Sequence, residues 1–183
     1  MKILLSLLLG MLSIILCQSY VYCQEWRHPF FTMDVPETWR KAEPPIDLEN
    51  PVREIGCIRM YIDVRIKPPL KGTYSGNLKV EIFEHCKGKK LKYSNFFNYF
   101  LREDEVIKEK YFTLNNLKFH EQKKISEVKD MKNNKIILYH STVWHIQGIN
   151  RVYRITWGSY DKNLYTEELD FVRTLLPSFT EKQ

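Results

Sequence analysis

Apolar and polar positions alternate most clearly between residues 57 and 82. From Ile58 to Ile66 every second residue is aliphatic or methionine, and the stretch from Leu78 to Ile82 repeats this pattern. A period of two is typical of a β-strand whose two faces meet different surroundings. The intervening segment carries proline, glycine, serine and asparagine, which favour turns. We therefore predict two antiparallel strands joined by a long loop.

This hairpin bears on Cys57 and Cys86. If the two aliphatic faces lie together, Ile62 faces Val80 or Ile82, and facing residue numbers have an even sum. The two cysteine numbers have an odd sum, so their side chains would point to opposite faces at one end of the hairpin. An oxidising compartment favours a disulfide, which then needs a bulge or another register. Two separate buried thiols are the alternative.

The remaining pattern predicts further strands and two helices. Residues 30–35 form a first strand that ends at Pro36, with Trp39 folded back onto the sheet. A helix runs from Ser94 to about Val106, with its aromatic residues on one face. Strands at 111–114 and 117–125, 135–146 and 151–158 form an antiparallel meander. A last helix is capped by Asp161 and ended by Pro177. Helices on an antiparallel sheet predict an α+β fold in one domain.

The first 23 residues have the pattern of an export signal. Lys2 precedes an uncharged apolar run from Ile3 to Leu16, which is short for a membrane-spanning helix. Cleavage is predicted after Ser19 or Cys23, and residues 24–183 form the mature domain. An uncut anchor or a lipidated cysteine at the N-terminus is the alternative. We therefore expect an exported protein, periplasmic or secreted, with membrane contact only through such an N-terminus.

Charge and candidate chemistry narrow the function. The net charge of +6 is scattered, which does not suit nucleic-acid binding. His140 and His145 are predicted on opposite faces of a strand, and no nucleophile, phosphate loop or paired acid has its usual surroundings. We predict no catalytic residue, no cofactor and no metal site.

A partner surface is predicted from an aromatic residue and a basic cluster. Trp26 precedes the first predicted strand and is expected to be exposed. An exposed tryptophan beside cations would suit a protein partner. The cluster consists of Lys87, Lys89, Lys90 and Lys92.

Three motifs resemble the PsbP-like fold. An early strand ends in Val-Pro-Glu-Thr-Trp at residues 35–39, and a late strand reads Tyr-Arg-Ile-Thr-Trp at 153–157. The chain then ends a helix in Leu-Leu-Pro-Ser-Phe at 175–179. The resemblance spans residues 26–179 and implies an α/β/α sandwich. The fold is shared by the photosystem PsbP subunit, a Ran-binding nuclear import factor and DcrB-like bacterial envelope proteins.

The resemblance and the missing catalytic motifs together suggest a function. We expect a non-catalytic accessory or partner-binding domain of the cell envelope, with an unknown protein as partner. A carrier of a small apolar ligand is the alternative, motivated by the aromatic residues of the first helix. An enzyme of unrecognised type ranks last. No binding residue is transferred from the family, because no functional motif matches position by position, and fold alone does not determine function.

Overall fold

The computed structural model describes residues 23–42, 51–69, 74–92, 105–130 and 134–182. The predicted export signal, apart from Cys23, and the predicted helix from residue 94 to 104 lie outside these residues. Within the described part of the chain, no helix has the length and apolarity to cross a membrane.

The described residues form eleven strands and one α-helix. The strands are β1 (Cys23–Arg27), β2 (Phe31–Pro36), β3 (Arg40–Lys41), β4 (Arg53–Ile55), β5 (Ile58–Lys67), β6 (Gly76–His85), β7 (Glu105–Leu114), β8 (Leu117–Asp130), β9 (Lys135–Gln147), β10 (Val152–Ser159) and β11 (Thr180–Glu181). Helix α1 spans Lys162–Leu175 and continues into a 3-10 turn, Leu176–Ser178.

The strands are arranged in two antiparallel sheets. A small sheet has the order β1-β2-β11, and a large sheet has the order β3-β5-β6-β10-β9-β8-β7, with β4 also paired to β5. Helix α1 and the small sheet pack on the same face of the large sheet, which we call the helix face. The core between them includes Phe31, Trp144, Trp157, Leu169 and Val172. The described domain is thus dominated by antiparallel sheet, with a single helix packed on it.

The register of the β5–β6 hairpin differs from the prediction. Tyr61 pairs with Ile82 and Asp63 with Val80, so facing residue numbers have an odd sum. The assumption that the aliphatic residues of β5 face the core was wrong. Buried Asp63 faces it instead, because its carboxylate accepts a hydrogen bond from the Trp26 indole at 2.8 Å. A buried carboxylate needs such a donor.

The new register settles the cysteine pairing. In this register Ile58 faces His85, so the next residue on each strand, Cys57 and Cys86, would also face each other. These two cysteines form a disulfide bond, with their Cα atoms 5.1 Å apart. The backbone N–H of Cys86 also donates to the carbonyl of Cys57 at 2.9 Å. No bulge is required, because the side chains of directly facing residues point to the same side.

Strand β7 begins where the middle helix was expected to end. Glu105 and Val106 pair with Ile125 and Lys124, and a bulge follows at Ile107. The predicted helix end at about Val106 was therefore wrong. Acidic residues oppose the dipole at a helix C-terminus, and pairing with β8 satisfies this backbone in strand form.

The turns and the last helix follow local chemistry. Asn115 and Asn116 join β7 to β8 with φ of 48° and 64°, which suits a two-residue hairpin turn. Asp161 caps α1 as predicted, since its carboxylate accepts from the backbone N–H groups of Asn163 and Leu164. The turn places β7 beside β8, and the cap fixes where α1 starts across the helix face.

Candidate functional site

A polar groove lies between α1 and the edge strand β7. Lys108 pairs with Lys123 and Lys110 with Glu121 across β7 and β8, so these four side chains share the helix face. Arg173 reaches them from α1. The groove has a volume of about 200 Å³ and is lined by Lys108, Glu109, Lys110, Glu121, Lys123 and Arg173.

Glu121 is the buried centre of this groove. Its carboxylate accepts hydrogen bonds from the Trp144 indole at 2.7 Å and from the Arg173 guanidinium at 2.7 and 3.3 Å. The Lys110 ammonium lies 3.6 Å away. Burial alone would raise the pKa of Glu121, but the bonds from Arg173 and Trp144 outweigh it and lower the pKa. Glu121 therefore stays ionised and holds Arg173 in place.

The groove carries an excess of positive charge. Glu109 accepts from the His120 ring at 3.0 Å, which lowers the pKa of Glu109. The groove lining thus carries four cations and two carboxylates, but Glu109 points to the opposite face, so the carboxylate that faces the four cations is Glu121. Both carboxylates already have partners. Within the residues that the structure describes, Lys108 and Lys123 form no ion pair. This arrangement suits an anionic group carried by a ligand or a partner.

The strands beside the groove expose apolar side chains. On β7, Ile107 is 57% exposed and Tyr111 is 71% exposed. At the far end of the β8–β9 hairpin, Ile136 is 66% exposed and Leu138 is 46% exposed. Among the strands that the structure describes, β7 is the last of the large sheet and pairs only with β8. The edge strand and the hairpin end are therefore two exposed apolar areas, with Tyr111 on the face opposite the groove and Ile136 and Leu138 on the helix face.

Two histidines lie close together on the opposite face of the sheet. The ring of His120 lies 5.8 Å from that of His145, and Tyr111 stacks on His120 at 4.2 Å. Burial lowers the pKa of His145 to about 3, so this ring is neutral at physiological pH. His140 instead contacts Tyr165 of α1, on the helix face. The prediction that His140 and His145 diverge is confirmed.

A group of metal-type ligands surrounds the disulfide. Cys57, His85 and Cys86 offer donor atoms within 4.8 Å of one another. The two sulfur atoms are bonded to each other, so they are not available as thiolates, which are the form that binds metals. We therefore interpret this group as a structural disulfide with His85 beside it.

The prediction that Trp26 is exposed and belongs to a partner surface was wrong. Trp26 lies in β1, is 1% exposed, and is held by its bond to Asp63 and by Arg65 over its ring at 4.9 Å. This was missed because the first strand was predicted at residues 30–35, whereas Trp26 already belongs to a strand. The lysines of the cluster are exposed, but buried Trp26 cannot form a surface with them. These lysines are Lys87, Lys89, Lys90 and Lys92.

The groove itself was not predicted. Its residues come from β7, β8 and α1, which are far apart in sequence and meet only through the strand register. The available signal was the run of lysines and glutamates on both sides of the Asn115–Asn116 turn.

Comparison with known proteins identifies the fold but no family. No family model matches the chain, and no curated protein sequence is similar to it. A crystal structure from Bacteroides thetaiotaomicron is similar over 87% of this chain at 9% identity, with a TM-score of 0.48. This chain spans about half of that protein, since the match covers 48% of it.

A second solved structure matches over its full length. It is the solution structure of cyanobacterial PsbP (CyanoP) from Synechocystis sp. PCC 6803. The match covers 91% of this chain and 96% of that one, at 14% identity and a TM-score of 0.53. At this identity the likeness concerns the fold alone. The resemblance seen in the sequence motifs is thereby confirmed, and the protein has a PsbP-like fold.

Proposed function

We propose that this protein is a non-catalytic, exported domain that binds a protein partner in the cell envelope. The observation that carries the proposal is the exposed edge strand β7 with its large apolar side chains. Ile107 and Tyr111 are both more than half exposed there. An unpaired strand edge offers a row of backbone donors and acceptors for pairing with another chain.

The apolar hairpin end supports the same reading. Ile136 and Leu138 lie on one face of β9, and Ile125 of β8 is half-buried on that face next to them. Clustered exposed apolar side chains are typical of interaction sites, whereas single ones are common on any surface. Together with β7 they provide both main-chain and side-chain contacts.

The disulfide supports export. Bonds such as Cys57–Cys86 persist in oxidising compartments and are rare in the cytosol. The apolar N-terminal run points the same way. The proposed location is therefore periplasmic or secreted, with the N-terminal segment as the only membrane contact if it stays uncut.

We further propose the layered α/β/α arrangement of the PsbP-like fold. Support comes from the face of the large sheet opposite α1, where Phe83, Leu91 and Val152 form a second buried apolar cluster. Apolar side chains on both faces of a sheet require cover on both faces.

The partner proposal is tested by site-specific photo-cross-linking in the native host. A photoreactive phenylalanine replaces Tyr111 on β7 or, as the matched control, Tyr74, which is 53% exposed at another place. We expect one discrete adduct with the probe at 111 and none with the probe at 74. The adduct partner, identified by mass spectrometry, should then bind the purified domain.

Two results would contradict the proposal. Equal adduct patterns at both positions would show that β7 is not a selective surface. A specific adduct whose partner does not bind the purified domain would show a chance encounter only.

A further inference from the structure

We propose that the partner contributes an acidic, extended segment that adds as a new strand to β7 and places its carboxylates in the groove. This inference rests on the proposed partner-binding function and specifies its chemistry. The occupant is a protein segment with acidic residues at alternate positions, argued from the charge and the geometry of the edge.

The geometry of β7 defines where such a segment would lie. Lys108 and Lys110 point to the helix face, because they pair with Lys123 and Glu121 of β8. Glu109 and Tyr111 point to the opposite face. Side chains of an added strand alternate between the same two faces. Every second residue of the partner would therefore stand beside the lysines, and the others beside Tyr111.

The charge of the groove selects acidic side chains for the helix face. Glu121 is occupied by Arg173 and the Trp144 indole, so it does not neutralise Lys108 or Lys123. Lys108 is exposed on the edge strand itself, so its ammonium is accessible to a carboxylate of a strand added beside β7, and half-buried Lys123 adds positive charge behind it. Opposite charges facing each other across neighbouring strands stabilise the pair, and like charges destabilise it.

Apolar contacts select the other positions. The ring of Tyr111 stacks on His120 at 4.2 Å and is 71% exposed, so its outer surface is rigidly presented to a neighbouring chain. A residue of the added strand beside Tyr111 would cover this ring. Aromatic and β-branched side chains make favourable cross-strand pairs. The partner segment therefore alternates acidic with apolar residues.

A fluorescent ten-residue peptide that alternates glutamate and valine is the probe. Its binding to the purified domain is measured by fluorescence anisotropy in low and physiological salt. Three peptides serve as controls: one with glutamine for every glutamate, one with all glutamates in one half, and one with alternate backbone amides methylated. We expect at least tenfold weaker binding for each control, since each removes charge, alternation or main-chain pairing.

Matched variants locate the peptide. Lys108→Gln combined with Lys123→Gln should weaken binding of the alternating peptide roughly three- to tenfold, with less dependence on salt. Lys89→Gln combined with Lys90→Gln removes the same charge from another exposed site and should leave binding unchanged. Unfolding midpoints in urea confirm that both variants are folded.

Other outcomes would overturn the inference. Equal binding by the two double variants would place the peptide elsewhere. Binding of phosphatidylserine vesicles, but not of the peptide, with loss in the Lys108→Gln and Lys123→Gln variant would assign the groove to a membrane surface. Unchanged affinity for the methylated peptide would rule out strand addition.

The double variant also separates this inference from the proposed function. Both groove lysines are neutralised in the protein that carries the photoreactive residue at 111. If the host adduct persists at full yield, the partner-binding function stands and the acidic chemistry is wrong. If the protein with the photoreactive residue at 111 and both lysines intact also gives no adduct, the proposed function itself is wrong.

Discussion

Two buried carboxylates in this protein are held by tryptophan indoles. Asp63 accepts from Trp26 at 2.8 Å, and Glu121 accepts from Trp144 at 2.7 Å. A carboxylate taken out of water is stable only when donors replace the water, and an indole N–H supplies one donor from an otherwise apolar ring. Asp63 lies on β5 and Glu121 on β8, towards opposite edges of the large sheet. In each pair the indole ring packs in the apolar core, while its N–H fixes the position of the carboxylate.

Removing the Glu121 carboxylate should destabilise the fold strongly. Glu121→Ala leaves the Trp144 N–H and the Arg173 guanidinium without their acceptor, and we expect a loss of about 3 kcal/mol in the free energy of unfolding. Urea unfolding followed by tryptophan fluorescence measures it. Glu127→Ala, at an exposed position of the same strand, is the control and should change stability by less than about 0.5 kcal/mol. Equal effects would show that the buried network is not stabilising.

Acid should destabilise the protein through His28. Burial lowers the pKa of this histidine to about 4, against the opposing charge of Asp63, so the folded state keeps the ring neutral. The contribution of neutral His28 to the free energy of unfolding is complete above pH 6.5, and it is lost as the pH falls from 6.5 towards 4. His28→Gln should therefore reduce the stability lost between pH 7 and pH 5 by about 1 kcal/mol. Parallel stability–pH curves for both proteins would exclude this role.

Among the secondary-structure elements, the ends of the last helix could be predicted from the sequence, but the register between strands could not. Asp161 and Pro177 bound the last helix as the sequence indicates, because capping and chain termination depend on neighbouring residues. The face of β5 that meets the core depends on Trp26, far away in sequence, so alternation alone gave the wrong register. The groove was missed for the same reason, since Arg173 reaches Glu121 only in the folded chain.

The N-terminal cap of α1 can be tested directly. Asp161→Ala removes the acceptor for the N–H groups of Asn163 and Leu164, and it should lower the free energy of unfolding by about 1 kcal/mol. Asp170→Ala, which breaks an exposed pair with Arg173 on the same helix, should cost less than about 0.5 kcal/mol. Chemical denaturation ranks the two variants. The reverse order would mean that the cap does not set where this helix begins.

The disulfide should stabilise the β5–β6 hairpin. Cys57 and Cys86 are separated by 29 positions, and closing a loop of this length stabilises a fold by about 2–4 kcal/mol. The Cys57→Ala and Cys86→Ala double variant should lose this amount in urea unfolding. Cys23→Ser, at an exposed cysteine of β1, should behave like the unaltered protein. A double variant as stable as the unaltered protein would leave the bond without a structural role.

At the scale of the whole molecule, the proposed export predicts the state of the chain in its host. Protein isolated from the native host should have the mass of a chain cut after Ser19 or Cys23, and Cys57 and Cys86 should resist alkylation without reduction. Intact mass spectrometry with and without thiol alkylation provides both measurements. A full-length or lipid-bearing mass would instead identify a protein held at the membrane.

The small sheet ties the two ends of the domain together. Strand β2 pairs with β1 on one side and with β11 on the other, and Phe31 stacks on Phe179 with ring centroids 5.6 Å apart. The chain is synthesised from its N-terminus, so β11 is made long after β2. The second edge of β2 can therefore pair only when almost the entire chain is present. The core around Phe31 is therefore completed last. On the proposed export route, the core around Phe31 could form only after the C-terminal segment has crossed the membrane, so folding would be completed on the far side.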